Sequence, residues 1–344
     1  MKLLLISVKS PSPTGGIAVW TEHFLSHCAK NHIDCHLVNT ELIGGRTNNF
    51  KRNLWDELVR TVRIVHTLRK ELANSAFDAV YLNTSCGTYG LFRDTFLAYL
   101  VSRKNVPLIT HYHCEIPYWV KRKSSTSCLK RLATMSRKNL VLCENSKTFL
   151  RSKYQIDSCK IPNFVDSSLI RQEPKSIRDT IKQIVFVGQV TETKGAVELY
   201  EVARALPDIT FTLIGSIGIA MTKYEKPSNV VLTGSIPKEQ VLAHLDEADL
   251  FLLPSHTEGC SLALMEAMAR GIPAIATDTG ANAEMLSDDC GVVVPKQNVS
   301  AMVKAIHQLA DPMLRKEISC QSIAHIKKDY TEHNVDKLFF LINN

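Results

Sequence analysis

The first half of the chain alternates short apolar runs with segments of helical spacing. The run KLLLISV at 2–8 predicts a buried strand that leads into the loop SPSPTGG, and residues 17–29 follow with helical spacing. Residues 54–72 predict a long amphipathic helix with basic residues on its outer face. Such alternation predicts a parallel sheet covered by helices on both faces. The same pattern gives strands at 35–38, 77–83 and 106–113, a helix at 95–103, a strand entering a helix at 139–146, and a closing segment at 160–166.

A second alternation begins after a polar stretch. Residues 167–180 are polar and contain Pro174, which is typical of a linker. The two halves share this architecture without obvious repetition of sequence, so we predict two similar domains rather than a duplication. The second half has strands at 184–188, 209–215, 229–234, 250–255 and 273–277, and helices at 196–205, 238–247, 261–270, 301–309, 314–328 and 335–342.

Length supports the division into two domains. The chain has 344 residues, and about 150 residues per domain predicts two. The predicted class is α/β, with two Rossmann-like domains facing across a cleft, and the carboxyl ends of the strands are the expected ligand site. The predicted boundaries are 1–166 for the N-terminal domain, 167–180 for the linker, 181–330 for the C-terminal domain and 331–344 for a final helix.

Composition narrows the class of protein. Hydrophobic residues make up 45% and charged residues 22%, as in ordinary soluble globular proteins. No apolar stretch reaches the roughly 18 residues of a spanning helix, so we expect a soluble or peripheral protein. The ten cysteines are scattered and form no Cys-x-x-Cys, which favours buried thiols in a reducing compartment over disulfides or a metal cluster.

Charge is unevenly distributed between the halves. Residues 1–166 carry 24 Lys+Arg against 12 Asp+Glu, a balance of +12, and subtraction from 41 and 34 leaves 17 against 22, or −5, for 167–344. The basic cluster at 119–138 is either a solvated helix face or a contact for an anionic membrane surface or lipid-linked acceptor. Nucleic acid is not expected, because no helix-turn-helix, zinc-finger or stacking-aromatic pattern accompanies the charge. The cluster contains Lys121, Arg122, Lys123, Lys130, Arg131, Arg137 and Lys138.

The segment 251–277 is the most informative part of the sequence. A buried strand ends near Pro254, a polar loop follows, and a helix begins around Ser261. Helix N-termini bind phosphate through free N–H groups, here those of Gly259, Cys260, Ser261 and Leu262. Glu258 in the loop and Glu266, about one and a half turns into the helix, could approach one crevice and accept hydrogen bonds from sugar hydroxyls. The alternative is that both are ordinary surface charges.

These carboxylates have a recognisable spacing. Glu258 and Glu266 resemble the Glu-x7-Glu element of the retaining family 4 glycosyltransferases, which have the GT-B fold. The resemblance covers nearly the whole chain and implies a C-terminal helix that crosses back to the N-terminal domain. Its other matching segments, in the family's order, are 13–25, 161–166, 186–195, 211–216, 230–237 and 249–286.

The resemblance implies a donor site in the C-terminal domain. Glu266 would hold the nucleotide ribose, and Glu258 with the amides of Gly259, Cys260 and Ser261 would hold the transferred sugar. Lys194 and the Leu262 N–H would meet the diphosphate, where a lysine stabilises the developing charge. The loops at Gly215–Ser216 and Ser235–Ile236 would cradle the base.

The N-terminal domain would complete the site. Gly15 and Gly16 would let the first loop approach the diphosphate closely, and His113 matches the family histidine near the reacting sugar carbon, with His111 as its rival. One position departs from the family: Gln189 stands where the phosphate loop has Arg, so one of two expected cations is missing. Either Arg46 or another basic residue compensates, donor binding is weak, or the leaving group differs.

The implied activity is retaining transfer of a hexose from a UDP- or GDP-sugar, UDP preferred, to a saccharide or lipid-linked saccharide bound by the N-terminal domain. Surface polysaccharide assembly at the cytoplasmic membrane face is the natural pathway. No cofactor and no metal are expected, since the sequence has no Asp-x-Asp, and no GxGxxG marks a nicotinamide site. Alternatives are a nucleotide-sugar epimerase, or a non-catalytic GT-B binding protein, which Gln189 suggests.

Overall fold

The chain forms two compact units, which are described separately. The computed structural model describes residues 1–10, 15–42, 54–173 and 175–343. The first unit comprises Met1–Asn163 and His333–Asn344, and the second comprises Phe164–Glu332.

The first unit is built on a parallel sheet. Among its described residues the sheet has six strands in the order β2-β1-β3-β4-β5-β6. Residues 3–6 of strand β1 are apolar and fully buried, because both faces of a parallel sheet are covered by helices. The strands are β1 (Lys2–Ser7), β2 (Asp34–Asn39), β3 (Ala79–Thr84), β4 (Leu108–Tyr112), β5 (Lys138–Val141) and β6 (Cys159–Lys160).

Helices connect these strands, and the last helix of the chain joins them. On that helix, Phe339 stacks on Phe24 with ring centroids 5.5 Å apart, and Asp336 lies 3.3 Å from His27. The chain therefore returns to its first unit, as the sequence predicts. The helices are α1 (Gly16–Lys30), α2 (Leu54–Asn74), α3 (Thr88–Ser102), α4 (Ile116–Trp119), α5 (Lys123–Met135), α6 (Glu144–Tyr154) and, from the C-terminus, α13 (His333–Asn343).

The second unit repeats the architecture with its own parallel sheet. In the part that the structure describes, six strands follow the order β12-β11-β10-β7-β8-β9, which confirms the predicted α/β class. Its strands are β7 (Gln183–Val187), β8 (Thr210–Ile214), β9 (Val230–Gly234), β10 (Leu250–Leu253), β11 (Ala274–Thr277) and β12 (Val292–Val294). Its helices are α7 (Ala196–Ala205), α8 (Lys238–Glu247), α9 (Leu262–Ala269), α10 (Asn282–Met285), α11 (Val299–Gln308) and α12 (Pro312–Asp329).

The stretch 167–180, expected as a linker, is packed on the second unit instead. The Arg171 N–H donates to the Ala269 carbonyl at 3.0 Å, and the Lys175 ammonium donates to the Asp246 carbonyl. The guanidinium of Arg315, which is fully buried, donates to the Arg178 carbonyl at 2.8 Å. Polar composition indicated a linker, but these polar groups satisfy helix ends and carbonyls of the unit. Pro174 lies outside the described residues.

Candidate functional site

Three loops converge at the carboxyl edge of the second sheet. Gly195, after β7, has a φ of +76°, and a Cβ there would lie 2.2 Å from the Pro254 carbonyl oxygen after β10. Gly215, after β8, has a φ of +140°, and its Cβ would lie 2.0 Å from the Gly188 oxygen. Only glycine accommodates both the positive φ and the close approach. The loops after β7, β8 and β10 therefore form one surface.

An ion pair joins two of these loops. Lys194 Nζ donates to Glu258 Oε1 at 2.7 Å, and Ser255 Oγ donates to the same oxygen at 2.7 Å. The backbone N–H of His256 also donates to the Thr193 carbonyl at 2.9 Å, which ties the loop after β10 to the one after β7. The Glu258 side chain is 11% exposed and that of Lys194 is 30% exposed. The carboxylate is fixed, while the ammonium still reaches solvent.

Helix α9 begins directly beyond this pair. Ser261 caps it, because its Oγ accepts from the Leu264 N–H at 3.3 Å. Within the described residues, no hydrogen bond engages the backbone N–H groups of Gly259, Ser261 or Leu262. The thiol of Cys260 lies 3.8 Å from Met285 Sδ, inside the unit. A helix N-terminus therefore lies where the sequence predicts an anion site, and anion binding there stays a prediction.

Glu266 lies within α9 and has a partner that the sequence analysis missed. Its carboxylate is buried, and Lys238, the first residue of α8, contacts Oε1 with its ammonium group. Lys238 follows β9, the strand at one end of the sheet, whereas α9 follows β10 nearer the middle of the sheet. No local motif predicts this pair, because 28 positions separate the two residues in the sequence.

The remaining predicted residues of this unit lie in the loops after β7, β8 and β9. The Val190 N–H donates to the Ser216 carbonyl at 2.8 Å, which connects the loop after β8 to the loop after β7. Ser235 is exposed and Ile236 half-buried after β9. Gln189 is half-buried, and its side chain makes no hydrogen bond within the described ranges. Arg46, named as a possible substitute for the missing cation, lies outside the described residues.

The first unit presents its own polar residues at the ends of its strands. Gly15 has a φ of +112° at the start of α1, and a Cβ at Gly15 or Gly16 would meet no described residue within 4 Å. Residues 11–14 of the same loop are outside the described part of the chain.

The two candidate histidines differ in their surroundings. His111 is fully buried: Nδ1 lies 2.8 Å from the Tyr81 hydroxyl, and Nε2 lies 3.1 Å from the Ile161 carbonyl. A carbonyl only accepts, so Nε2 is the donor and Nδ1 accepts from Tyr81. Burial lowers the pKa of His111 to about 3. Both nitrogens of His111 therefore bond to groups inside the unit, which is typical of a structural histidine.

His113 is half-buried and keeps one nitrogen available. Its Nε2 lies 2.9 Å from Asn83 Oδ1, and Nδ1 makes no hydrogen bond to any described residue. Burial, and secondarily the neighbouring His111, lower the pKa of His113 well below its ordinary value. The edge of Trp20 packs against the ring at 5.1 Å. A neutral imidazole with an accessible nitrogen therefore lies at the end of β4.

The predicted basic cluster is exposed and lies beside two apolar stripes. Helix α5 packs on α3, where Thr95 Oγ1 donates to the Cys128 carbonyl at 3.2 Å, and α3 packs beside α2. Exposed apolar side chains recur at helical spacing on both neighbours, alongside the exposed basic residues predicted for α2. The stripes are Trp55, Leu58, Val59 and Val62 on α2, and Tyr89, Phe92, Phe96 and Tyr99 on α3. The exposed members of the cluster are Lys121, Arg122, Lys123, Lys130, Arg131 and Arg137, whereas Lys138 is half-buried.

Three features are absent from the described residues. No group of three or more His, Cys, Asp or Glu side chains is arranged to hold a metal ion there. None of the described helices has the length and apolar character needed to cross a membrane. All ten cysteines lie in described ranges, and none of them forms a disulfide.

A known protein family matches the sequence of the second unit. Residues 169–322 match the family described as glycosyl transferases group 1. This match spans most of the second unit. TuaC of Bacillus subtilis, named for teichuronic acid biosynthesis, is 32% identical over 122 residues, which are 36% of this chain and 31% of TuaC. The chain thus matches less than half the length of this curated relative.

Solved structures agree on the fold of this chain. Sucrose-phosphate synthase from Thermosynechococcus elongatus superposes with a TM-score of 0.82 and 16% identity, over 99% of this chain and 98% of that one. Anabaena HepE, in complex with UDP and glucose, gives a TM-score of 0.73 and 16% identity, over 98% of both chains. At this identity the likeness shows the fold, which is the GT-B fold that the sequence predicts.

Proposed function

We propose that this protein is a retaining, metal-independent glycosyltransferase of group 1. It moves a hexose from a UDP- or GDP-sugar to a saccharide or lipid-linked saccharide acceptor in surface polysaccharide synthesis. The observation that carries the proposal is the Lys194–Glu258 pair at the N-terminus of α9. It brings a cation, a helix dipole and a sugar-binding carboxylate together at one strand edge.

The diphosphate of the donor would bind the positive end of this arrangement. The N–H groups of Ser261 and Leu262 lie at the start of α9, where the dipole favours an anion. Lys194 adds a full charge that can stabilise the departing nucleoside diphosphate. Helix and lysine together supply the positive charge that a metal ion supplies in other transferases, which is why we propose metal independence.

The carboxylates would hold the hydroxyl-bearing parts of the donor. Glu258 has one oxygen engaged by Lys194 and Ser255, so its other oxygen can accept from a sugar hydroxyl. Glu266 would accept from the ribose hydroxyls, and the loops at Gly215–Ser216 and Ser235–Ile236 would border the base. HepE carries UDP and glucose in its complex, which favours UDP as the first nucleotide to test.

The proposed reaction balances without a protein nucleophile. The bond between the anomeric carbon and the diphosphate oxygen breaks, and the acceptor oxygen bonds to that carbon on the same face. Because the new bond forms on the face that the diphosphate leaves, the configuration is retained. The acceptor proton passes to the departing phosphate oxygen. By resemblance we assign His113 to the neighbourhood of the reacting carbon, where a neutral imidazole can hold a sugar hydroxyl.

The acceptor side would be the basic first unit at an anionic membrane surface. The apolar stripes on α2 and α3 would enter the interfacial region, while the basic residues around α5 contact lipid phosphate. Each such cation is worth about 1 kcal/mol near an anionic surface. We infer a cytoplasmic protein, peripheral on the membrane's inner face, since ten cysteines without a disulfide suit a reducing compartment.

Release of nucleoside diphosphate tests this function directly. The protein is incubated with UDP-glucose, UDP-galactose, UDP-N-acetylglucosamine and GDP-mannose in EDTA, with and without a bacterial lipid-linked saccharide extract. We expect release from one nucleotide class, stimulated by the extract, and a product whose anomeric proton coupling matches the donor. An inverted product would contradict retention, and dependence on Mg²⁺ or Mn²⁺ would contradict metal independence.

One observation favours a second candidate function, binding of nucleotide sugars without catalysis. Gln189 provides no charge in the phosphate loop, and its side chain has no hydrogen-bond partner in the described part of the chain. A non-catalytic protein that binds nucleotide sugars would tolerate that loss. Nucleotide binding without diphosphate release from any donor would favour this alternative.

A further inference from the structure

A chain of buried hydrogen bonds connects three strand ends of the first unit to α1. His113 Nε2 lies 2.9 Å from Asn83 Oδ1, and Asn83 Nδ2 lies 2.9 Å from Ser7 Oγ. Ser7 Oγ lies 2.6 Å from Thr21 Oγ1, which is 2.7 Å from the Ile17 carbonyl oxygen. Ser7, Asn83 and Thr21 are at most 5% exposed. These groups therefore depend on one another for their hydrogen bonds.

The direction of each hydrogen bond in this series follows from its last acceptor, the Ile17 carbonyl oxygen. The Ile17 carbonyl only accepts, so the single hydroxyl hydrogen of Thr21 is donated to it. Thr21 must then accept from Ser7, which uses the only hydrogen of Ser7. Ser7 can in turn only accept from Asn83, which directs the amide nitrogen to Ser7 and the amide oxygen to His113. A carbonyl oxygen facing His113 requires a proton on Nε2.

The same arrangement leaves the other imidazole nitrogen free of a proton. A neutral histidine carries one N–H, and here it is held at Nε2. Nδ1, which has no partner among the described residues, then presents a lone pair. Such a nitrogen accepts from a hydroxyl group and does not attract an anion, because it carries no charge.

We propose that Asn83 is a positioning residue that fixes His113 as the Nε2–H tautomer, so that Nδ1 accepts a hydrogen bond from a sugar hydroxyl of the substrate. The hydroxyl assignment rests on the proposed function, whereas the tautomer assignment rests on the buried chain alone. Asn83 acts through His113, with Ser7 and Thr21 setting its orientation.

The tautomer can be measured without any activity. Long-range proton–nitrogen correlation spectra of ¹⁵N-histidine-labelled protein distinguish the Nε2–H and Nδ1–H forms, with His113→Gln to assign the resonance. We expect one Nε2–H form in the wild type and a mixture of tautomers in Asn83→Leu. An Nδ1–H wild type, or an unchanged spectrum in Asn83→Leu, overturns the proposal.

Two further variants keep the test independent of folding defects. Thr21→Val removes the acceptor for Ser7, so His113 should again give a mixture of tautomers. This variant provides the test if Asn83→Leu does not fold. Asn139 is a buried asparagine of the same unit that bonds Tyr112 and Ala133 instead. Asn139→Leu should lower stability and leave the His113 tautomer unchanged. A tautomer mixture in this control would mean that general loosening, not Asn83, controls His113.

Kinetics separates this proposal from the proposed function. In Asn83→Leu we expect kcat/KM to fall about tenfold, the size of one lost hydrogen bond, with affinity for UDP alone unchanged. Unchanged kcat/KM would overturn the substrate part of the proposal. If the wild type transfers no sugar at all, the proposed function fails, and the spectra still decide the role of Asn83.

Discussion

Lys194 and Glu258, 64 positions apart in the sequence, meet in an ion pair of 2.7 Å between the loops after β7 and β10. The pair holds a cation beside the N-terminus of α9, and Gly195 allows the approach because it follows the lysine directly. In the absence of ligand, the glutamate balances the lysine charge. We expect the diphosphate of a donor to share this lysine when it binds.

Replacing the lysine should therefore weaken diphosphate binding selectively. A charge-assisted hydrogen bond is worth about 1.5–3 kcal/mol, so Lys194→Ala should raise the Kd for UDP by roughly 10- to 150-fold. Titration calorimetry measures the change. The matched control is Lys182→Ala, an exposed lysine before β7 at the opposite edge of the same sheet. Equal affinities for both variants would contradict the assignment of Lys194.

The glycine after this lysine should be irreplaceable for steric reasons. Gly195→Ala places a Cβ 2.2 Å from a backbone oxygen at a φ of +76°, whereas Gly234→Ala meets nothing within 4 Å at a φ of +69°. The left-handed conformation alone costs about 1–2 kcal/mol, so Gly234→Ala should show only that loss. Urea unfolding followed by circular dichroism should give a clearly lower midpoint for Gly195→Ala. Similar midpoints would mean that the loops do not pack as described.

Acid should destabilise the first unit through His111. Unfolded, this histidine takes up a proton below about pH 6.5, whereas folded it stays neutral until about pH 3. The unfolded state binds more protons in that window, so stability falls as the pH decreases, by up to about 1.4 kcal/mol per pH unit.

Tryptophan fluorescence isolates this effect, since Trp20, Trp55 and Trp119 all belong to the first unit. The urea midpoint should decrease between pH 6.5 and 4, and His111→Gln should reduce that dependence; the part that remains includes His113, whose pKa burial also lowers. The control His66→Gln, on the exposed side of α2, should leave it unchanged. An equal slope in His111→Gln and the wild type would show that His111 is not the group responsible.

Much of this architecture could be predicted because its signals are local. Helices α7 and α8 have the predicted bounds, and the strands containing Leu4 and Phe251 are apolar runs that burial on both faces requires. The capped start of α9 could be predicted from Ser261 after a polar loop. Strand β12 was missed because VVV is too short a run to distinguish from a loop.

The partners of the site residues could not be predicted from sequence. Lys238 contacts Glu266, and Asn83 bonds His113, through pairs that only the sheet order brings together. The apolar stripe that begins at Trp55 was missed for a different reason. Apolar residues at helical spacing normally face a core, so the pattern does not indicate that one face of α2 is exposed.

The exposed surface of the first unit should bind anionic lipid. Reversing Lys121, Arg122 and Lys123 to Glu should abolish most sedimentation with vesicles containing phosphatidylglycerol. Phe92→Ser with Phe96→Ser should weaken binding by removing apolar insertion. Reversal of Lys316, Lys327 and Lys328, exposed lysines of the second unit, is the control and should have little effect. Binding that survives the first reversal would exclude this surface as the membrane contact.

The central claim is that the second unit binds a nucleoside diphosphate without metal through Glu266 and the start of α9. Lys238, the partner of Glu266, has 44% of its side chain exposed and can be hydrated when the carboxylate is removed. Glu266→Ala should therefore keep nearly wild-type stability while losing the nucleotide site. A variant that unfolds instead would contradict this separation of binding from stability.

The most direct measurement is a thermal-unfolding titration of wild type and Glu266→Ala with UDP, GDP and ADP in EDTA. At about 100 times Kd, ligand adds roughly 2.7 kcal/mol to stability. We expect a clear rise in Tm of the wild type with one uridine or guanosine nucleotide and none in Glu266→Ala. No shift with any nucleotide, or an equal shift in the variant, would contradict it.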